Sequence, residues 1–394
     1  MKSIRTKLLV AFILVALIPL IAIGFYGLYS ITKALRSTSI SKIESKVTLL
    51  SSKMDDFLKN VSSDLFYLRD SASLRNLVAA MDSKDAFAIE QAKKELEKDF
   101  FAFSDQKKIY HQVRFMDVNG QETVRVNRVR GASQVVPKAR LQNKKKRYYF
   151  ADTADLPNGE LMISPLDLNR EHGQVEKPMR PVIRYGTPIY GKNNSFQGIV
   201  LFNVLADKFL DIIDDAADED ETLVFISKTG SYYTHPDIRK EWGGKGDLNT
   251  GEGFSKDYAD VATTIVGAVN PDALSAGNDL VAFAPVVLEK DHYLGQVIDI
   301  VPNSVVFKSV AAFRNIFIVI GAFVLLITII ISILLSGSIT KPLIYLTKTT
   351  DDMSKGNIEV PITIDTKDEI SVLAASIERL RKSMKIFMTM KKKK

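Results

Sequence analysis

Apolar and polar positions divide this chain into long blocks before they divide it into elements. Residues 8–29 and 316–336 contain no charged side chain, and at helical rise either run crosses a hydrocarbon core of ~30 Å. The block between them is mostly polar with mixed charge and long enough for one or two globular units. Its first part has a helical period. Ile40, Ile43, Val47, Leu50, Met54, Phe57, Leu58, Val61, Leu65 and Leu68 recur at helical intervals with no proline between them, which predicts one amphipathic helix from 30 to about 77. A second helix is expected over 86–103.

From there a period of two takes over. Segments 113–117 and 122–127 flank Val118, Asn119 and Gly120, a hairpin signature. Further strands are expected at 161–164, 182–190 and 198–204, with a turn at 191–195 and a helix at 206–217. The theme returns in smaller form: 223–227 and 231–234 surround Lys228, Thr229 and Gly230, and 280–287 pairs with 293–301. Glycine and aspartate crowd 242–253, which reads as a surface loop, and 305–314 is expected to run as helix into the second apolar block. The pattern describes two antiparallel-sheet modules in tandem on one long helix.

Beyond 336 the pattern is a heptad. Ile339, Leu343, Leu346, Thr350 and Met353 step by four and three, as do Ile370, Leu373, Ile377, Leu380 and Met384. Two such seams per chain form a parallel four-helix bundle when two chains meet, with Leu346 and Ile377 at its centre. Pro342 suits the first turn of a helix, where its missing N–H costs nothing, and Asp368 and Glu369 suit a helix amino terminus through the dipole.

Charge adds orientation. Lys2, Arg5 and Lys7 precede the first apolar run and Lys341 and Lys348 follow the second, against Lys33, Arg36, Lys308 and Arg314 on the other side. This bias puts both termini in the cytoplasm. A cleavable leader fits less well, because the run is longer than an h-region, contains Pro19 and has no A-x-A site. The absence of cysteine excludes disulfides and thiolate sites. The net charge of +7 is scattered rather than clustered, so it does not point to nucleic acid. His111, His172, His235 and His292 share no metal-ligand spacing. The acidic run Asp214, Asp215, Asp218, Glu219, Asp220 and Glu221 lacks a calcium-loop pattern and reads as a solvated helix end. No phosphate cradle, nucleophile elbow or zincin helix occurs, so an enzyme reading has no residues to stand on and no cofactor is implied.

A long helix followed by two sheet modules between apolar spans resembles the double Cache (tandem PAS-like) sensor of bacterial histidine kinases and chemoreceptors. The resemblance covers roughly 35–305 and rests on QVRFMDVNGQETVRVN at 112–127 and on RYYF, ISPLDLN, IRYGTPIYG and GIVLFNVLAD within 141–207. Residues after 336 resemble a HAMP linker, in which Ile339, Pro342, Leu343, Leu346, Met353, Glu369, Ile370, Leu373, Ile377 and Leu380 would form the core. Such linkers usually carry glycine after Asp-Glu-Ile; here Ser371 stands there.

The resemblance implies an α+β membrane protein: a cytoplasmic terminus at 1–7, transmembrane helices at 8–29 and 316–336, and a double Cache domain at 30–315. Within that domain the membrane-distal module spans about 80–215 and the membrane-proximal module about 220–303. A HAMP domain at 338–388 and a basic tail at 389–394 follow. In amino-acid-binding members of this class an Arg-x-Trp-Tyr-x-Asp stretch holds the ligand carboxylate, and a later aspartate holds its amine. The matching positions are Arg147, Tyr149, Phe150 and Asp152, and the later position is the neutral Asn203. This implies an anionic or neutral ligand rather than a standard amino acid; Ser164 and Arg184 on neighbouring strands are further pocket candidates. The function implied is a homodimeric receptor of a bacterial inner membrane that senses an extracytoplasmic small molecule and relays it to a histidine kinase or chemotaxis-type output. The alternative is a non-signalling anchored solute-binding or scaffolding protein. The chain given ends soon after the HAMP-like module, so the output is expected on a separate protein or a longer form of this one. The basic tail would also favour anionic lipid.

Overall fold

The computed structural model describes residues 4–171, 173–288 and 292–392; Lys2, His172 and the last two lysines of the basic tail lie outside them. The chain divides into two compact units, Arg36–Val306 and Met1–Leu35 with Phe307–Lys394.

In the first unit, helix α1 (Ile4–Arg69) contributes its residues from Arg36 onward. Ile43, Val47, Leu50, Met54, Leu58, Val61, Leu65 and Leu68 are all buried, so the stripe read from the sequence is the face that packs. The helix does not continue to 77. Asp70 pairs side by side with Arg69, its carbonyl accepts from Arg75, and Ser71 turns extended to cap α2 (Ala72–Ser83) by accepting from the Leu74 amide. Lys84 ends α2 in the left-handed region, and Asp85 caps α3 (Ala86–Lys107).

The first sheet module then runs β1 (Tyr110–Asp117), β2 (Glu122–Val129), β3 (Ala132–Val135), α4 (Tyr148–Ala154), β4 (Met162–Ile163), β5 (Asp167–Leu168), the small ladder of β6 (Arg170–Glu171) with β7 (Gln174–Val175), β8 (Pro181–Tyr190), β9 (Phe196–Leu205) and α5 (Asp207–Asp214). Its main sheet has the order β3-β2-β1-β9-β8-β4, with β5 also on β8. The 113–117 and 122–127 hairpin is present, with Gly120 at φ +73° in its turn. The strand expected at 161–164 shrinks to two residues, because Pro165 has no N–H to extend the ladder.

The second module comprises β10 (Thr222–Ser227), β11 (Tyr232–Thr234), α6 (Phe254–Asp257), α7 (Ala259–Ile265), β12 (Asp272–Ala276), β13 (Asp279–Leu288) and β14 (His292–Pro302), in the order β11-β10-β14-β13-β12. One face of each sheet joins a single apolar cluster with α1: Val113, Phe115, Phe202 and Val204 from the first, Phe225, Ala284, Val297 and Val301 from the second. Helix does not run unbroken through 305–314. After α8 (Asn303–Val306) the chain breaks at Phe307 before α9 (Lys308–Leu335).

In the second unit the two apolar runs lie in α1 and α9, both long and apolar enough to cross a membrane. They touch through small residues: a Cβ at Gly24 would overlap the Phe317 ring, and one at Gly27 would stand 3.4 Å from Phe313. A π-turn (Ser336–Thr340) joins α9 to α10 (Lys341–Ser354), widening the backbone just before Pro342, whose ring crowds the preceding turn. After a connector comes α11 (Glu369–Lys392). Leu346 and Met353 pack with connector residues Ile358 and Ile362 and with Ala374, while Ile370, Ile377 and Met384 are partly buried beside them. Leu373, Leu380 and Ile339 stay exposed at 45 %, 54 % and 38 %, and Ala374 and Arg381 take the inward positions. Glu378 and Arg381 clamp the connector: the Ile362 amide donates to Glu378, and Arg381 donates to the Ile358 carbonyl at 2.5 Å. Asp368 accepts from Ser371 Oγ at 2.8 Å, so the serine found in place of glycine ties down the start of α11.

Candidate ligand-binding site

Strand alternation sends every second residue of the first sheet away from the helices, and there α4 covers it. The outward set is Gln112, Arg114 and Met116 on β1, Glu122, Arg125 and Asn127 on β2, Arg184 and Gly186 on β8, and Ile199, Leu201 and Asn203 on β9. Gly186 sets how close α4 can lie: a Cβ there would stand 2.5 Å from Thr153 Oγ1 and 2.8 Å from Leu201. Tyr149 and Phe150 then press onto the sheet with Met116, Met162, Ile199 and Leu201.

Beside that apolar patch lies a buried polar network. Arg114 and Arg125 are directly opposite in register, an arrangement that repels. The fully buried Glu122 carboxylate stands between them, 3.5 Å from Arg114 and 3.4 Å from Arg125. Arg114 donates to Asn203 Oδ1 at 2.5 Å, and Asn203 Nδ2 donates to Gln112 at 3.2 Å and to Asn169 at 3.3 Å. Arg184 donates to Asp167 at 2.7 Å, to the Tyr148 hydroxyl at 3.3 Å and to Asn169 at 3.3 Å. Arg125 reaches Glu171 at 2.9 Å. The Tyr149 ring sits among three guanidinium carbons, 5.4 Å from Arg114, 5.4 Å from Arg184 and 5.6 Å from Arg147.

The electrostatics follow from this crowding. Burial pushes Glu171 up, but Arg125 and Lys144 together hold it down to about 2. Burial likewise opposes ionisation of Tyr149, yet Arg114, Lys144 and Arg184 pull its phenol below the usual value. Burial lowers Lys144. Among the described residues the Nε groups of Arg114 and Arg184 are buried without a partner. Such a cluster has donors to spare and suits a ligand with acceptor oxygens.

The sequence-derived candidates do not all meet. Tyr149, Arg184 and Asn203 belong to the network. Arg147 is half-buried at its rim, and among the described residues its guanidinium meets only the Tyr149 face. Phe150 is buried in the apolar patch, not against the polar groups. Ser164 is a brace: its Oγ accepts from the Arg184 amide at 2.8 Å and donates to the Pro165 carbonyl. Asp152 is exposed and, with Tyr148, Ser164 and Asp167, lines one wall of a cleft of about 910 Å³ whose other wall includes Lys228, Trp242 and Lys245 of the second module. Sequence reasoning missed Arg114, Glu122, Arg125, Asn169 and Glu171. The available signal was charged residues at alternate positions of strands whose other positions are apolar.

The sequence model for the family described as bacterial histidine kinase, sensor domain, matches residues 59–297, more than half of the chain. The chain belongs to this family. A HAMP domain matches 334–385. Sensor domain, HAMP domain and two apolar spans together make the protein a transmembrane sensing receptor. Among solved structures it is similar to the extracellular domain of a protein titled a histidine kinase, vpHK1S-Z8, at 20% identity and a TM-score of 0.58, covering 71% of this chain and 96% of that one. It is also similar to a domain of a sensory box/GGDEF family protein from Vibrio parahaemolyticus, at 20% identity and a TM-score of 0.57, covering 68% and 98%. At these identities the likeness is one of fold. No curated protein matches the chain.

Proposed function

We propose that this receptor senses an anionic or neutral polar small molecule in its membrane-distal module, acts as a homodimer with both termini in the cytoplasm, and passes the signal through HAMP to a kinase or chemotaxis-type output. The observation that carries the ligand reading is the cluster around Tyr149, where among the described residues Arg114 and Arg184 keep unpartnered Nε donors and Arg147 stands at the rim. Tyr148 and Asp167 hold Arg184 and also line the inter-module cleft, so their movement would open the cluster to that cleft. The neutrality of Asn203, already engaged with Arg114, argues against an ammonium partner. The exposed Ile339, Leu373 and Leu380 supply the surface a second HAMP copy would cover.

The test is a thermal-shift screen of the full chain in lipid nanodiscs against carboxylates, neutral polar metabolites and amino acids. A ligand at 100 times its Kd adds about 2.7 kcal/mol. Carboxylates or neutral molecules are the expected hits, and Arg147→Ala should abolish the shift while Asn203→Asp weakens anion binding. Hits confined to free amino acids, or an unchanged shift in Arg147→Ala, would overturn the assignment.

A further inference from the structure

Asp299 stands in the middle of β14, is fully buried, and has no hydrogen-bond partner on either carboxylate oxygen among the described residues. A buried carboxylate ordinarily accepts from several donors. Here the neighbours in register are Leu223 on β10 and Ala282 on β13, neither with a side-chain donor. Asp299 shares its face of β14 with Val297 and Val301, which belong to the apolar cluster formed with α1. The charged groups that act on it are Lys42 and Lys46 from α1 and Asp218 and Glu221 from the segment before β10. Lys46 is already committed: it forms a short ion pair with Glu221 and lies 3.6 Å from Asp218. Glu221 is therefore not part of a solvated helix end, as its sequence context suggested, but half of a bridge between α1 and the proximal sheet.

This geometry gives the proton on Asp299 a mechanical consequence. With Asp299 neutral, Lys46 stays with Glu221 and α1 stays seated. With Asp299 ionised, a buried charge without donors faces that same ammonium, and it gains most by drawing Lys46 away from Glu221 or by admitting water beneath the helix. We propose that Asp299 is a proton-binding site through which the pH around the sensor unit controls the seating of α1 on the membrane-proximal sheet. The site is formed by residues of α1 and the proximal module and shares none with the distal cluster around Tyr149. Burial, reinforced by Glu221, pushes Asp299 up to about 7, within the range where a bacterial exterior varies.

The test uses the full chain in nanodiscs. It contains no cysteine, so spin labels at Leu49→Cys on α1 and Val269→Cys beyond α7, both exposed, report the seating directly. Between pH 5 and 9 the interlabel distance distribution should shift with a midpoint near 7 in the wild type and stay constant in the isosteric Asp299→Asn. Thermal stability should fall as pH rises from about 4 to 7 and level off above that in the wild type only, because within that window the folded chain retains a proton that the unfolded chain has released. Lys46→Met, which leaves Asp299 in place but removes the cation favouring its ionised form, should move the midpoint upward. A distance titration that persists in Asp299→Asn would overturn the proposal. So would a stability titration unaccompanied by any change in distance.

Discussion

The two sheet modules lean on the same helix with the same kind of apolar face and close their other faces with opposite chemistry. In the proximal module, Val224, Ile226, Val281, Phe283, Ile298 and Ile300 meet Phe254, Ala262 and Ile265 of α6 and α7, a filled hydrophobic core. Its buried Gln296 is spent on α7, donating to the Ile265 and Ala268 carbonyls. In the distal module the equivalent face carries Arg114, Arg125, Arg184, Glu122 and Asn203 under α4. Burying those charges costs stability that an apolar face would not have cost. The comparison teaches that one module closes its second face with apolar packing, whereas the other keeps buried charge there, where the proposed recognition site lies.

The contrast breaks most easily at Glu122. Glu122→Leu leaves Arg114 and Arg125 buried face to face, and should destabilise the sensor unit by about 3–5 kcal/mol in chemical denaturation of the full chain. A loss under 1 kcal/mol would mean that water already reaches the pair and that the distal face is less closed than described.

Acid should separate the modules next. Glu171, held near 2, stabilises the distal module above the usual carboxylate range, and that contribution of up to about 3 kcal/mol is lost as pH falls from about 4.5 towards 2. Asp299, raised to about 7, has the opposite sign: its proximal module weakens as pH rises from about 4 to 7. Segment-resolved hydrogen exchange should therefore show β1 and β2 loosening only in strong acid and β13 and β14 loosening only towards neutrality. A common pH profile for both modules would remove the distinction.

Smaller effects sharpen it. Ile298→Val in the proximal core should cost about 1 kcal/mol and leave any ligand-induced shift unchanged. Arg147→Ala should alter unliganded stability by less than about 0.5 kcal/mol, since the residue is half-buried and forms no ion pair among the described residues. Equal loss of ligand response in both variants would place recognition outside the distal cluster.

Much of the architecture was legible along the chain. The α1 stripe, the hairpin at Gly120, both apolar spans and the inward positions of Leu346 and Met353 all follow from local periodicity, which depends only on which residues are neighbours in sequence. The end of α1 at Arg69 was not legible, because the helix pattern continues and the break depends on Asp70, Ser71 and Arg75 capturing one another. Nor was the whole site. Arg147 and Asn203 could be placed by resemblance, but Arg114 looks like any strand arginine until register sets it across from Arg125 and next to Asn203.

By itself, then, the sequence determined the order of spans, helix, two sheets and linker, together with the face that each long element would bury. Tertiary structure alone decided that Glu122 bridges two arginines, that Ser164 braces the Arg184 amide, and that Asp299 lies beneath α1 without a partner among the described residues. The physical reason is range. Hydrophobic periodicity is a sum over adjacent residues, whereas the state of a buried charge depends on a few groups brought within about 4 Å from distant parts of the chain, where the low dielectric makes each of them count.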